Sequence, residues 1–255
     1  MSNDLLIERR DNVLWATINR PERRNAISPD VLRGLAQAIE QANTDRAIRA
    51  LVITGVEDKA FCAGADLQTG KSFVFDYSEP YAGIADLFRK ARRSTVPLVA
   101  RVNGACMAGG MGLLAMCDMA VSASHARFGL PEVKVGLFPA QVLTVLQHLI
   151  GRRKLTELCI TGEPISAREA LEIGLVNYVS DDLDQALDGL LRKMLDKSPA
   201  AIRRGLYLMK NIEEMAFEES MSFTESQIAL FALTEDAREG QLAFREKRPA
   251  VWTGR

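Results

Sequence analysis

The sequence predicts an α/β protein on three observations. Its first half alternates strand-like and helix-like segments in a β-α-β-α-β order, the run Ala50-Leu51-Val52-Ile53 is apolar throughout, and beyond residue 139 nearly every segment is helical. A wholly apolar strand suits a parallel sheet buried on both faces, and the intervening helices supply the crossovers. The expectation is a helix-covered parallel sheet followed by a helical C-terminal part.

Leu5–Arg9 and Val13–Asn19 are β-rich runs split by Asp11-Asn12, which reads as a hairpin. After a turn at Pro21-Glu22-Arg23-Arg24-Asn25, Ser28 caps a helix with Pro29 in its first turn, and Leu32, Leu35, Ala36 and Ile39 follow at helical spacing. The apolar strand at 50–53 precedes a long loop around Phe61–Lys71, a helix from about Tyr81 to Ser94 and a strand over Pro97–Asn103. A glycine-rich stretch from Asn103-Gly104 then enters an apolar helix ending near Cys117, and Asp118–Ala123 is another short strand. Past 139 only Leu175–Val179 reads as a strand; helices are expected at 141–150, 152–160, 167–173, 182–197, 199–213, 216–232 and 234–245, with Ser198-Pro199 marking a helix start.

Charge and composition exclude several functions. With 32 Lys+Arg against 33 Asp+Glu, the chain lacks the cationic excess that displaces counterions from nucleic-acid phosphates. No apolar run approaches the roughly eighteen residues of a membrane span, and Met1–Arg10 has no signal-peptide core, so a cytoplasmic protein is expected. Cys62, Cys106, Cys117 and Cys159 are scattered, as are His125 and His148. Neither a zinc set nor a catalytic histidine is indicated, and the cysteines read as small hydrophobes in a reducing compartment.

Two glycine-bearing loops follow buried strands: Phe61-Cys62-Ala63-Gly64-Ala65-Asp66-Leu67, and Asn103-Gly104-Ala105-Cys106-Met107-Ala108-Gly109-Gly110-Met111-Gly112. Ligands collect at the carboxyl ends of strands in open α/β sheets, so these loops could direct two backbone N–H groups at one oxygen. Tight helix–sheet packing is the competing account of either loop alone. Gly110-Met111-Gly112-Leu113-Leu114-Ala115 mimics a dinucleotide fingerprint, but its strand ends too early and Glu132 follows Pro131 instead of closing a strand.

A third irregular segment runs from Phe128 to Gln141 and carries Glu132 among apolar residues, Gly and Pro. Desolvation there raises a carboxyl pKa and makes a better proton acceptor near neutrality. The alternative is a solvated glutamate paired with Lys134.

Asn19-Arg20-Pro21 through Asn25-Ala26, Ala63-Gly64-Ala65-Asp66-Leu67, Asn103-Gly104 with Gly109-Gly110, Cys117-Asp118, Pro131-Glu132 and Gly174-Leu175-Val176 occur in an order that resembles the crotonase, or enoyl-CoA hydratase/isomerase, superfamily. The resemblance covers essentially the whole chain. It implies a crotonase-like spiral core of ββα repeats over 1–198 and a C-terminal helical trimerisation region over 199–255, assembled as a homotrimer or homohexamer. It also implies an acyl-CoA substrate, with coenzyme A part of the substrate and no separate cofactor, and a thioester carbonyl held by the N–H groups of Ala65 and Gly109.

By the same resemblance, Arg23, Arg24 and Ala26 border the CoA phosphates and adenine, and Ala63, Asp66 and Leu67 line the nucleotide and pantetheine path. Phe244 and Lys247 match a terminal Phe-x-x-Lys pattern that reaches the CoA of a neighbouring subunit, or else form a solvated helix end. Typical hydratases of the family carry two catalytic glutamates. Here the later one is Glu132, and the earlier position is Gly112, which cannot transfer a proton. The expected reaction is hydration of a 2-enoyl-CoA by Glu132 alone, with Gln141 and Asp66 as candidate helpers. A Δ3-to-Δ2 enoyl-CoA isomerase and a non-catalytic acyl-CoA-binding or scaffold protein are the alternatives. Phe73, Val74, Phe75 and Tyr77 are candidates for the acyl pocket or for core cover.

Overall fold

A computed structural model of the chain describes residues 3–66, 78 and 80–255. Its strands are β1 (Leu5–Arg10), β2 (Val13–Ile18), β3 (Ala50–Gly55), β4 (Ala60–Cys62), β5 (Leu98–Val102), β6 (Ala105–Met107), β7 (Met119–Ala123), β8 (Arg127–Gly129), β9 (Ile165–Ser166) and β10 (Tyr178–Ser180). Its helices are α1 (Pro29–Thr44), α2 (Gly83–Arg93), α3 (Gly109–Ala115), α4 (Ala140–Leu146), α5 (Arg152–Thr161), α6 (Ala167–Glu172), α7 (Leu183–Leu195), α8 (Pro199–Ile212), α9 (Phe217–Ala232) and α10 (Glu235–Glu246). No helix among the described residues is long and apolar enough to cross a membrane.

The strands form two sheets in a spiral. β1 and β2 pair antiparallel, and the larger sheet continues in the order β2-β3-β5-β7-β10, all parallel. The second strand of each pair goes to a smaller sheet ordered β4-β6-β8-β9. Thus β3, β5 and β7 climb one wall while β4, β6 and β8 climb the other, and the chain advances one strand per turn on both.

Alternation along the strands explains the layers. Leu51, Ile53, Leu98 and Ala100 face the main core with α1, α2 and α3, whereas Ala50, Val52, Val99 and Val121 face Leu183, Leu187, Leu190, Leu191 and Met194 of α7. Successive side chains point to opposite faces, so a strand buried on both must be apolar at every position. Ser28 caps α1 as its spacing indicates, its hydroxyl accepting from Val31 N–H.

α8 fastens the C-terminal helices to this core through two cations. The Arg203 guanidinium donates to the carbonyls of Ala42, Asn43, Asp45 and Ile48 at the end of α1. Lys210 donates to the carbonyls of Ala91 and Ser94 at the end of α2 and pairs with Asp118 at 2.8 Å. Helix C-termini expose unpaired carbonyls and partial negative charge, which these cations complement. α8 itself has no buried residue, and Gln227 is the buried one in α9.

The structure corrects several expectations. The loop expected from Phe61 begins inside a strand, because β4 closes against β6 before the chain turns. The helix expected at 141–150 ends at Leu146, and the late strand is Tyr178–Ser180, one turn beyond the buried pair Leu175 and Val176. β8 and β9, both very short, pair antiparallel where no strand was expected.

Candidate active site

The small sheet brings the glycine loops together. β4 and β6 are parallel neighbours with Cys62 opposite Cys106, and β6 and β8 pair Met107 with Gly129. All three chains therefore leave the sheet at the same edge. A Cβ placed on Gly64 would stand 3.1 Å from the Gly109 nitrogen, and one on Gly109 would stand 3.6 Å from the Ala65 nitrogen. The backbones of the Gly64-Ala65 and Ala108-Gly109 turns are thus adjacent.

Neither the Ala65 nor the Gly109 N–H is used in a backbone hydrogen bond among the described residues. Ile27 N–H donates to Gly64 O and Asp66 N–H to Ile27 O, a parallel bridge that leaves the Ala65 N–H directed away. Gly109 opens α3, so no carbonyl within the helix faces its N–H. Ala65 is exposed and Gly109 half-buried. Ala108, with φ 50° and ψ −123°, occupies a left-handed region that ordinary residues avoid, and its N–H donates to Gly129 O at 2.9 Å. That bond ties the second loop to the segment carrying Glu132.

Glu132 lies in a 3-10 turn over Pro131–Val135. Its Oε2 is buried and has no hydrogen-bond partner among the described residues. Burial raises its carboxyl pKa above the ordinary value, opposed in part by a hydrogen bond from its own N–H. The alternative pairing with Lys134 does not form, since Lys134 reaches Glu163 at 2.8 Å. An unpaired carboxylate that holds protons more tightly than usual is suited to exchange one with a bound molecule.

Beside Ala65 is a cavity of about 400 Å³ lined by Glu22, Arg23, Arg24, Ala26, Ala63, Ala65 and Asp66. Arg23 and Arg24 are exposed and make no ion pair among the described residues. Asp66 is 8% exposed and engaged by Arg20 at 2.8 Å, so it shapes the wall and is not a free acid. Gln141 is exposed, without a bond to Glu132. Phe244 is 86% exposed, Lys247 caps α10, and neither lines the cavity of its own chain. Leu67 and the aromatics at 73–77 lie outside the described residues.

Sequence reasoning assigned no role to the residues that brace this site. Asn25 is 1% exposed at φ 55°; its amide donates to the carbonyls of Val56 and Ala60, and its oxygen accepts from Arg20 N–H. Arg20 also donates to Ala26 O and pairs with Asp4. Asn103 joins Gly55 N–H to the carbonyls of Glu57 and Ala60. Their one sequence signal is asparagine in a turn-rich or glycine-rich run, where it tolerates positive φ and bonds backbone.

The cysteines fit the reading as buried hydrophobes, all four being free and buried. Burial pushes the Cys62 thiol up to about 12, and raises Cys106 and Cys117 as well. His125 bonds the Asp58 carbonyl on the surface, away from the cavity lining.

Comparison with known proteins agrees along the full length. A family profile described as Enoyl-CoA hydratase/isomerase matches residues 8–255. The chain is 34% identical to a 2,3-dehydroadipyl-CoA hydratase of Escherichia coli, covering 99% of this chain and 100% of that one. It is 32% identical to a crotonyl-CoA hydratase of Syntrophomonas wolfei, covering 97% and 96%. A solved enoyl-CoA hydratase of Mycobacterium smegmatis superposes with a TM-score of 0.90 at 33% identity, covering 98% and 99%.

Proposed function

Because the chain belongs to the enoyl-CoA hydratase/isomerase family, we propose that it hydrates a 2-enoyl-CoA thioester with Glu132 as sole acid/base. The observation that carries this reading is the buried, unpartnered Oε2 of Glu132, on a segment hydrogen-bonded through Gly129 to the residue before Gly109. The thioester oxygen sits between the N–H groups of Ala65 and Gly109. Those donors are fixed by the sheet before substrate arrives, so they stabilise enolate charge without reorganising.

Glu132 takes a proton from water as the water oxygen bonds to the β-carbon. The Cα–Cβ double-bond electrons move toward the thioester oxygen, giving an enolate held by the two N–H groups. Protonated Glu132 then returns that proton to the α-carbon, and the product is a 3-hydroxyacyl-CoA. One carboxylate closes the cycle, consistent with glycine at 112. The same group could move a proton from Cα to Cγ, so Δ3-to-Δ2 isomerisation is the second reading, favoured by the absence of a second acid at 112.

The CoA end occupies the cavity beside Arg23 and Arg24, whose guanidinium groups suit phosphate. The chain assembles as a homotrimer or homohexamer. The exposed apolar side chains Phe217 (72% exposed), Ile228, Leu233 and Phe244 on the C-terminal helices support this. In such an assembly Phe244 and Lys247 reach the CoA of a neighbouring copy.

Separate incubation of the protein with a 2-enoyl-CoA and a 3-enoyl-CoA, followed by thioester absorbance and product identification, separates the reactions. Glu132→Gln is expected to lower turnover about a hundred- to ten-thousand-fold. Unchanged turnover refutes the acid/base role, and binding without turnover of either substrate points to an acyl-CoA-binding protein.

A further inference from the structure

The turn Gly162-Glu163-Pro164, between α5 and β9, meets the segment carrying Glu132 on both sides of that residue. Before it, a Cβ on Gly129 would lie 3.1 Å from Pro164 Cβ, and Arg127 donates to Pro164 O at 3.1 Å. After it, a Cβ on Gly162 would lie 3.1 Å from Val133 Cγ1 and 3.1 Å from Lys134 Cε, closer than the roughly 3.5–4.0 Å at which carbon atoms rest. Gly162 ends α5 at φ 65°, its N–H donating to Leu158 O, the left-handed conformation glycine takes at helix ends. Lys134 also reaches Glu163 at 2.8 Å, but a pair so open to water holds little by itself. The close packing at Gly162 is the firmer contact.

The direction of the Glu132 carboxyl depends on where this packing puts its turn. Oε2 has no hydrogen-bond partner among the described residues, and the bond that lowers the carboxyl pKa comes from the residue's own N–H. The carboxyl therefore moves with the backbone of the 3-10 turn, and that turn packs on α5. One turn earlier on α5, Cys159 is buried; burial raises its thiol pKa and the charge of Glu132 raises it further. The carboxylate thus stands within electrostatic reach of the helix that holds its turn.

Resting on the reading of Glu132 as acid/base, we propose that Gly162 is a positioning residue for the reaction. Lacking a side chain, it lets the end of α5 close against Val133 and Lys134 and so sets where the Glu132 carboxyl points. It acts through the turn and not on the substrate.

Three variants test this, with kcat and KM measured on the enoyl-CoA that the parent turns over. A methyl at 162 pushes the turn by about half an ångström, the difference between 3.1 Å and carbon contact distance. Misplacement by about 1 Å costs about a hundredfold in rate, so Gly162→Ala should lower kcat about tenfold with KM within about twofold of the parent. Gly162→Asn carries the same Cβ but tolerates a left-handed φ, so it should melt closer to the parent and lose kcat alike. Gly174→Ala is the control: its φ is also positive, 78°, and a Cβ there meets no atom nearer than Leu149 O at 4.0 Å, so Tm should fall while kcat stays. A purely structural role makes kcat follow Tm across the three. The proposal is overturned if a folded Gly162 variant keeps the parent's kcat, or if Gly174→Ala loses as much. A parent that turns over no enoyl-CoA, or a Glu132→Gln variant with unchanged turnover, overturns the reading of Glu132 and the positioning role together. An inactive Glu132→Gln beside fully active Gly162 variants overturns the positioning role alone.

Discussion

Asp236→Asn tests how the C-terminal helices are held. Asp236, in the first turn of α10, is 2% exposed. Its Oδ2 accepts from Ser198 Oγ at 2.7 Å and Ala200 N–H at 3.3 Å, joining it to the start of α8. Its Oδ1 accepts from Thr253 N–H at 2.8 Å and Gly254 N–H at 3.1 Å, gathering the chain's end. Asparagine keeps one oxygen and turns the other into a donor facing donors, so two bonds to a charged acceptor are lost. At roughly 1.5 kcal/mol each, the low end for such bonds, the cost is about 3 kcal/mol. For a chain of this size, at 2–4 °C per kcal/mol, Tm should fall by about 6–12 °C.

The same carboxylate gives the effect a pH signature. Burial by itself raises its pKa, but Ser198 Oγ and the N–H groups of Thr253, Ala200 and Gly254 outweigh burial and hold it below the ordinary value. A group depressed in the folded state contributes stability that is complete above its unfolded pKa of about 3.9 and lost as pH falls through the folded value. Scanning calorimetry of parent and variant should show a wide gap at pH 7 that narrows below about pH 4. A variant within about 2 °C of the parent at pH 7, or a gap constant into acid, refutes the reasoning.

Glu132 carries the opposite sign: its raised pKa gives stability that is present in acid and lost as pH rises through the folded value. Glu132→Gln should therefore raise Tm at pH 7 while turnover collapses, and the acid limb of the parent's kcat/KM profile should lie above the ordinary carboxylate range. Gly109→Ala places a methyl 3.6 Å from the Ala65 nitrogen and 3.0 Å from Ile27 Cδ1; kcat/KM should fall about a hundredfold or more with little change in melting, as for loss of one oxyanion donor. Lys210→Met strands Asp118 and the last carbonyls of α2, and chemical denaturation should show a loss of about 3 kcal/mol.

The parts of the fold written in periodicity are legible in the sequence. The apolar run at 50–53, the Ser28-Pro29 start and the long C-terminal helices each depend on neighbours within one or two turns. The small sheet was not legible, because β4, β6 and β8 are three residues each, inside stretches read as loops. Their pairing comes from the spiral, not from strand propensity. At the site, the closeness of Ala65 to Gly109 followed from loop order and the family resemblance, and the geometry agrees. What escaped were contacts across long separations: Asn25 to Ala60, Arg20 to Asp66, Phe88 to Gly112. A single residue type such as Asn or Phe says nothing about a partner more than twenty positions away.

The bracing of the arginine loop by Asn25 bears on how fast a charged ligand is captured. Asn25 and Arg20 fix the backbone that displays Arg23 and Arg24, so little ordering entropy is spent when an anion arrives. Encounter is then governed by the field of two exposed guanidinium groups on a molecule of net charge −1. Such a field reaches only about a Debye length, near 8 Å at physiological salt. On the proposed reading that the CoA phosphates sit here, the association rate should respond to salt gently, as a two-charge contact does.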